Sequence, residues 1–199
     1  GNLTVAAPAP APATTNTEAG AGADAVIPVV ADVWFDRQYG NLGRAVMQGW
    51  EWFAITLDNN SEIMLFNFLG TNPSANGDRN RSAEPAKSQE PNSGSVTDAT
   101  GATTELAADA FSITVLSQWV SPHTNCTYPA SWLVEMADGS ASFTVTPMVA
   151  DQELRQYSST IWYSPIYWEG ICTVSDSVTG TVVGAAYVEL NGFCSRLGL

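Results

Sequence analysis

The stretch VWFDRQYGN, at residues 33–41, places an acid, a base and three aromatic rings within nine positions of a chain that is poor in charge. A carboxyl group beside bulky rings loses hydration, which favours its protonated form unless a donor compensates. A protonated acid can deliver a proton to a carbon–carbon double bond, and aromatic faces lower the energy of the resulting cation. Asp36 is therefore a candidate proton donor. The alternative is structural, because Asp36 and Arg37 can also serve as a pair that bonds backbone groups at a barrel rim.

The stretch PIYWEG offers a second carboxyl group. On an alternating strand Tyr167 and Glu169 share one side, whereas Trp168 points to the other, so an acid and a phenol can meet one ligand. We predict Glu169 as a catalytic residue and Tyr167 as a group that orients the ligand or donates a hydrogen bond. In the structural alternative Glu169 bonds Arg37 or backbone donors between strands. Glu189 in YVELNGF is open to the same two interpretations.

The elements that must position these residues are β-strands. Two pairs of β-type runs surround turn-forming residues, one pair in GWEWFAITLDNNSEIMLFNFL and one in CTVSDSVTGTVVGAAYVEL, and each pair predicts a hairpin. FSITVLSQWV, SWLVEMA and SASFTVTPMV supply further short strands, and no segment carries a helical period over ten residues. We predict an antiparallel all-β fold with about seven or eight strands, which suits a barrel.

The first predicted strand has apolar residues on both faces. Trp50 and Trp52 alternate with Glu51 and Phe53, so we expect the strand to lie between the barrel core and a second apolar layer. That layer is either another barrel or a ligand. Trp52, and Trp168 in PIYWEG, are predicted to contact the ligand, whereas the other tryptophans are expected in the core.

Composition divides the chain into a short leader and one domain. Residues 1–24 are rich in Ala, Pro and Gly and are predicted to be a linker or the end of a preceding barrel. Residues 25–199 are predicted to form a lipocalin-like barrel. Within it, residues 71–104 are dense in Asn, Ser, Gly, Pro and Glu and predict a long surface loop.

Charge and motif content exclude several classes of function. A net charge of -13, with 7 Lys and Arg residues, argues against nucleic-acid binding and against anionic membranes. No apolar run approaches the length of a bilayer span. The lone His123 does not predict a metal site, and neither a serine-nucleophile elbow nor a phosphate-binding loop is present. We therefore expect no metal and no cofactor.

Four N-x-Ser/Thr matches favour secretion and glycosylation. Their acceptor residues are Asn2, Asn59, Asn80 and Asn125. The N-terminus lacks the pattern of a signal peptide, so export implies that the signal has already been removed.

The three cysteines, Cys126, Cys172 and Cys194, allow at most one internal disulfide. The remaining thiol is buried, free or paired with another polypeptide. Cys172 lies within an apolar strand pattern, which favours a small core residue.

Six segments also occur in the order and spacing of a known family: WFDRQYG, GWEWFAITLDNNSEIMLF, WVSPHTNCTYPASW, PMVADQEL, YWEG and GAAYVELNGF. From Val33 to Phe193 the chain resembles the carotenoid 1,2-hydratase/AttH-like family, whose fungal members include kievitone hydratase-like secreted proteins. The resemblance implies two packed lipocalin-like barrels with a ligand cavity near their junction. It also implies that this chain corresponds to the second barrel with the end of the first.

The chain differs from the bacterial carotenoid hydratases in two segments. Where those enzymes typically read Asp-His-Asn-Trp-Gly, Arg37 and Tyr39 occupy the His and Trp positions. Arginine does not act as an acid near neutral pH, so we assign proton delivery to Asp36 and substrate binding to Arg37 and Tyr39. Those enzymes also carry a Tyr and a carboxylate where this chain has Phe66 and Asn67.

The sequence thus predicts a secreted, cofactor-independent hydratase that adds water to an alkene of a prenylated or polyene secondary metabolite. A pericyclase of the same fold is one alternative, and a non-catalytic carrier of a hydrophobic small molecule is the other. The expected partners are that small molecule and a first lipocalin-like barrel, from the same precursor or a separate chain.

Overall fold

A computed structural model describes residues 49–69, 92–155 and 166–194. The chain divides into two compact units, residues 1–40 and 41–199, and all described residues belong to the second. Within the described ranges no helix is long and apolar enough to cross a membrane. The strands are β1 (Trp50–Leu57), β2 (Glu62–Phe68), β3 (Ser93–Thr97), β4 (Thr103–Leu106), β5 (Phe111–Val120), β6 (Thr127–Met136), β7 (Ser142–Pro147), β8 (Glu153–Arg155), β9 (Ile166–Asp176) and β10 (Val182–Asn191).

These strands form one antiparallel sheet in the order β4-β3-β2-β1-β10-β9-β7-β6-β5, with β8 added beside β9. The sheet curls around its main core, as in a lipocalin-like barrel, so the predicted all-β class is confirmed. The two predicted hairpins are β1–β2 and β9–β10. The predicted strand number is wrong, because the described residues contain ten strands.

Two of the strands that were not predicted lie at least partly in the polar stretch at residues 71–104. Its C-terminal part forms β3 and the start of β4, so that part of the loop prediction is wrong, while residues 71–91 lie outside the described residues. Both strands are short, polar and at the edge of the sheet. Edge strands of this kind have little apolar alternation, because they cover little core.

The inner face of the sheet carries the main core. Phe53, Leu65, Trp132, Val174 and Val188 are completely buried there. The rings of Phe53 and Trp132 meet edge to face, with centroids 5.4 Å apart. Period-two alternation along each strand sends these side chains inward and their neighbours to the opposite side, here called the outer face.

Strand β1 is buried on both faces, as its sequence predicted. Trp50 and Trp52 on the outer face are 7% and 5% exposed. They belong to a separate apolar cluster, in which Met64, Phe66, Phe68 and Tyr187 are partly buried. The outer face of β1 and β2 is therefore an apolar surface in its own right.

One internal disulfide joins Cys126, before β6, to Cys194, after β10. Cys172 is a free and buried thiol of the inner face. Burial raises the pKa of its thiol to about 12, which keeps it protonated and unreactive. The prediction of a single disulfide and a core Cys172 is confirmed.

A buried carboxylate near this disulfide ties the turn between β5 and β6 to β8. Glu153 accepts hydrogen bonds from Ser121 Oγ at 2.7 Å, Thr124 Oγ1 at 2.5 Å and Tyr128 OH at 2.9 Å. Arg155 Nη1 lies 3.8 Å from the same carboxylate. Burial, followed by the hydrogen bond to Glu153 and its charge, raises the pKa of Tyr128. These four residues and Glu153 are called the Glu153 clamp.

Candidate active site

Four side chains form a straight row across the outer face. The register pairs Phe66 of β2 with Trp52 of β1, Trp52 with Glu189 of β10, and Glu189 with Glu169 of β9. Directly opposed residues of an antiparallel pair project to the same face. This outer row therefore runs from two aromatic rings to two carboxyl groups.

The aromatic half of the outer row is well ordered by packing. The rings of Trp52 and Phe66 lie 6.2 Å apart at an angle of 40°. Phe66 also stacks on Phe68, with centroids 5.5 Å apart and planes 5° from parallel. Together these rings form a packed aromatic cluster on the outer face.

Two tyrosines flank the acidic half. Tyr167 donates a hydrogen bond to Glu169. Burial, followed by the charges of Glu169 and Glu189, raises the pKa of Tyr167, and the same causes raise the pKa of Tyr187. Both phenols therefore stay protonated at neutral pH and can donate hydrogen bonds.

The facing carboxyl groups are the chemically unusual feature of this surface. Glu169 and Glu189 occupy paired positions on neighbouring strands, and like charges placed this way repel each other. Both side chains are half-buried and have interactions within the protein. Two neighbouring carboxyl groups are a pair that can serve as acid and base in one reaction.

The structure separates the predicted site residues into two groups. Tyr167 and Glu169 share the outer face, as the alternation predicted, and the strand register places Trp52 on the same face. Trp168 lies on the inner face, where it is 1% exposed and donates a hydrogen bond from Nε1 to the Ala150 carbonyl oxygen at 2.8 Å. Trp168 therefore cannot contact a ligand bound at the outer row.

The inner face has a small cavity of its own. It has a volume of about 110 Å³. Two aromatic rings, those of Trp119 and Trp168, form part of its wall, and Trp168 in turn packs on Trp132 with centroids 6.5 Å apart. No acidic side chain lines this cavity among the residues that the structure describes.

Several predicted residues lie outside the described ranges, namely Asp36, Arg37, Tyr39, Asn2 and Asn80. The two remaining glycosylation candidates, Asn59 and Asn125, lie in exposed turns. Their glycosylation stays a prediction.

Sequence reasoning missed a buried carboxyl group in the core. Glu51 is 1% exposed on the inner face, where Trp132 Nε1 donates to one oxygen at 3.1 Å and Asn67 Nδ2 donates to the other at 2.5 Å. Burial raises the pKa of Glu51 against the opposing effect of these two hydrogen bonds. The alternation of Glu51 with Trp50 and Trp52 was the available signal, because it places Glu51 on the core side of a strand that is apolar on both faces.

One group of sulfur and carboxylate atoms has the spacing of metal ligands. Atoms of Cys126, Glu153 and Cys194 lie within 4.8 Å of one another. The two sulfur atoms form the disulfide, and metal binding by cysteine requires thiolates. The carboxylate is already bonded by three hydroxyl groups, so the group is a structural element of the Glu153 clamp.

The curled antiparallel sheet and its inward core define a lipocalin-like β-barrel protein. The AttH-like family model matches residues 19–193, and the chain belongs to this family. None of the curated proteins matches the chain. The assignment to a carotenoid hydratase or fungal kievitone hydratase-like branch stays a prediction.

The fold is also similar to the crystal structure of a protein from Nitrosomonas europaea that is provisionally assigned as AttH. The two share 27% sequence identity with a TM-score of 0.56. The match covers 74% of this chain but 39% of the other, so the chain spans about two fifths of the length of that protein.

Proposed function

We propose that the protein is a cofactor-independent hydratase that adds water to an alkene of a hydrophobic prenylated or polyene compound at the outer row. The observation that carries the proposal is the pairing of Glu169 with Glu189 directly beside the aromatic surface of Trp52 and Phe66. Acid catalysis of hydration needs a protonated acid, a nearby base and a surface that stabilises a carbocation. In the row, two carboxyl groups can take the roles of acid and base, and the rings of Trp52 and Phe66 supply the aromatic surface.

The reaction can be written with these groups alone. The carboxyl group of Glu169 gives its proton to one alkene carbon, which leaves a cation on the other carbon and a carboxylate on Glu169. The ring face of Trp52 stabilises the cation. Water adds to the cation, its extra proton passes to the Glu189 carboxylate, and proton exchange between the two carboxyl groups restores the starting state.

Tyr167 has a positioning role in this scheme. Its hydroxyl group donates to Glu169 and so stabilises the carboxylate that forms when the proton leaves. Asp36 stays a proposed proton donor from the sequence, and Arg37 and Tyr39 stay proposed substrate contacts.

The test is a paired assay on protein from its native source. A panel of prenylated phenols and polyenes is incubated in oxygen-labelled water, and products that gain one labelled water are detected by mass spectrometry. Glu169→Gln keeps the size of the side chain but removes the proton, and loss of a positioned acid lowers the rate by about 10²–10⁴-fold. We expect this loss without a large change in melting temperature.

The matched control is Glu135→Gln, because Glu135 is an exposed glutamate on β6, away from the outer row. Its turnover should equal that of the wild type. Unchanged turnover in Glu169→Gln, or unfolding without a separable loss of rate, contradicts the proposal. Tight binding of panel members with no water added by the wild-type protein favours a carrier, and ring closure without water favours a pericyclase.

We further propose that the protein is secreted and that a first lipocalin-like barrel is its partner. The disulfide between Cys126 and Cys194 supports an oxidising compartment, and Asn59 and Asn125 lie in turns that a glycosyltransferase can reach. The separate apolar cluster on the outer face of β1 and β2 supports a second layer packed against this face, the place proposed for the first barrel. Mass spectrometry of native material, before and after glycosidase treatment, tests both points.

A further inference from the structure

Trp50 carries a polar group that the fold does not use. Its side chain is 7% exposed, and its indole N–H has no hydrogen-bond acceptor in the described structure. A buried donor without a partner is destabilising, and such groups are rare in native proteins. The indole N–H groups of Trp132 and Trp168, by contrast, both have acceptors.

The position of Trp50 relates this donor to the outer row. Trp50 precedes Trp52 by two residues on β1, so both rings lie on the outer face. It pairs with Phe68 on one side and with Asn191 on the other. The indole thus belongs to the same apolar surface as the aromatic half of the row.

The register gives the separation between this donor and the reacting carboxyl group. Glu169 lies two strands away from β1 and in line with Trp52. With strands about 4.8 Å apart and a rise of about 3.3 Å per residue, Trp50 and Glu169 are roughly 12 Å apart along the sheet surface. That length is comparable to an extended sesquiterpenoid.

We propose that the ligand of the outer row carries a neutral oxygen acceptor, a hydroxyl or carbonyl group, which accepts the hydrogen bond from Trp50 Nε1. This inference rests on the proposed function and narrows its substrate class to oxygenated terpenoids or prenylated compounds, with the oxygen remote from the reacting alkene. A carboxylate or phosphate is disfavoured, because Glu169 and Glu189 lie on the same face and the chain has a net charge of -13.

A binding cycle tests the inference without turnover. The probes are farnesol and the hydrocarbon in which a methyl group replaces its hydroxymethyl group, and dissociation constants are measured by equilibrium dialysis. Trp50→Phe removes the N–H but keeps an aromatic ring. We expect it to weaken farnesol binding by about 3–10-fold, the value of one neutral hydrogen bond, and to change hydrocarbon binding less than about twofold.

Trp119→Phe is the matched control, because Trp119 lines the inner cavity and should affect neither probe. Equal weakening of both probes by Trp50→Phe would show that only ring packing matters and would overturn the inference. An unchanged farnesol affinity, or no farnesol binding to the wild type, would overturn it as well. The hydratase proposal can fail on its own. In that case Trp50→Phe weakens the binding of farnesol but not of the hydrocarbon, and the wild-type protein adds no labelled water to any compound of the panel.

Discussion

The two faces of the sheet use glutamates in opposite ways. On the inner face Glu51 and Glu153 have their oxygens bonded by neutral donors, which are indole, amide and hydroxyl groups. On the outer face Glu169 and Glu189 oppose each other on paired positions. Hydrogen-bond donors hold the inner carboxyl groups in place as structural parts, whereas two adjacent carboxyl groups on the outer face can act as acid and base. The same residue type thus serves folding on one side of β9 and is suited to chemistry on the other.

The family motifs divide into those that hold the fold together and those that carry the candidate chemistry. The segments WVSPHTNCTYPASW and PMVADQEL contain every residue of the Glu153 clamp except Arg155. The clamp and the disulfide hold the turn after β5, strand β8 and the end of β10 together. These motifs therefore mark a fold, and the outer row on β9 and β10 carries the candidate chemistry.

Replacing Glu153, a buried carboxylate of the inner face, should have the largest effect on stability. Glu153→Ala leaves the buried hydroxyl groups of Ser121 and Tyr128 without their acceptor and removes the partner of Arg155. We expect the free energy of unfolding to fall by about 3–5 kcal/mol, measured by urea denaturation. Glu105→Ala, at an exposed position of β4, is the control and should stay within about 0.5 kcal/mol of wild type. A stable Glu153→Ala protein with lost turnover would reverse the roles assigned to the two faces.

Removing the disulfide should have the next largest effect. The bond closes a loop with a sequence separation of 68 residues, and such a cross-link stabilises a protein by about 2–4 kcal/mol. We expect Cys126→Ser/Cys194→Ser to lower the free energy of unfolding by that amount. Reducing agent should bring the wild type to the same value and leave the double variant unchanged. A further drop in the double variant on reduction would contradict this, since Cys172 is the remaining thiol and is already free.

The sequence predicted most of the sheet because its strands alternate or are flanked by turn residues. The hairpins β1–β2 and β9–β10 and the strands β5 to β7 follow from these local patterns. Strands β3, β4 and β8 do not, since they are three to five residues long and at most one side chain of each is buried. Their pairing depends on long-range contacts that a local pattern does not contain.

The candidate site was predicted in part. Alternation placed Tyr167 and Glu169 on one face and Trp168 on the other, as the structure does. The pairing of Glu169 with Glu189 could not be derived, because a one-residue change of register would have sent one of them to the opposite face. The donors to Glu51 were equally hidden, since Trp132 is 81 positions away in the sequence.

Within the YWEG motif, we expect Gly170 to serve the fold and its neighbour Glu169 to serve the chemistry. Substitution of Gly170 tests this division. A Cβ atom at Gly170 would lie 2.1 Å from Gln152 Cδ, and the Gln152 side chain bonds both the N–H and the carbonyl oxygen of Ile171. We expect Gly170→Ala to expel this side chain and to lower the free energy of unfolding by about 1–3 kcal/mol, measured by urea denaturation.

The control for this prediction is a double variant that combines Gly170→Ala with Gln152→Ala. Gln152→Ala removes the side chain that Gly170→Ala would displace, so the double variant should be less destabilised than the sum of the two single variants. Full additivity would mean that Gly170 is required for another reason. In either single variant, turnover per folded molecule should stay near that of the wild type, because Glu169 and Tyr167 remain in place.

Glu51 gives the stability of the fold a dependence on pH. Burial raises its pKa above the ordinary value of 4.5, so folding favours the protonated form. That contribution to stability is complete below the unfolded-state pKa and is lost as the pH rises through the higher folded-state pKa. Glu51→Gln cannot ionise, and it should therefore gain stability relative to the wild type as the pH increases from about 4 to 8, by at most about 1.4 kcal/mol per pH unit.

Urea denaturation of both proteins across this range measures the difference, and Glu62→Gln provides the control, since Glu62 begins β2 and is partly exposed. The relative gain should appear in Glu51→Gln alone. A difference between Glu51→Gln and the wild type that is constant with pH would mean that Glu51 has the same proton occupancy in the folded and unfolded states. The donors Trp132 and Asn67 would then offset burial fully, and Glu51 would be an ionised carboxylate held in the core by two N–H groups.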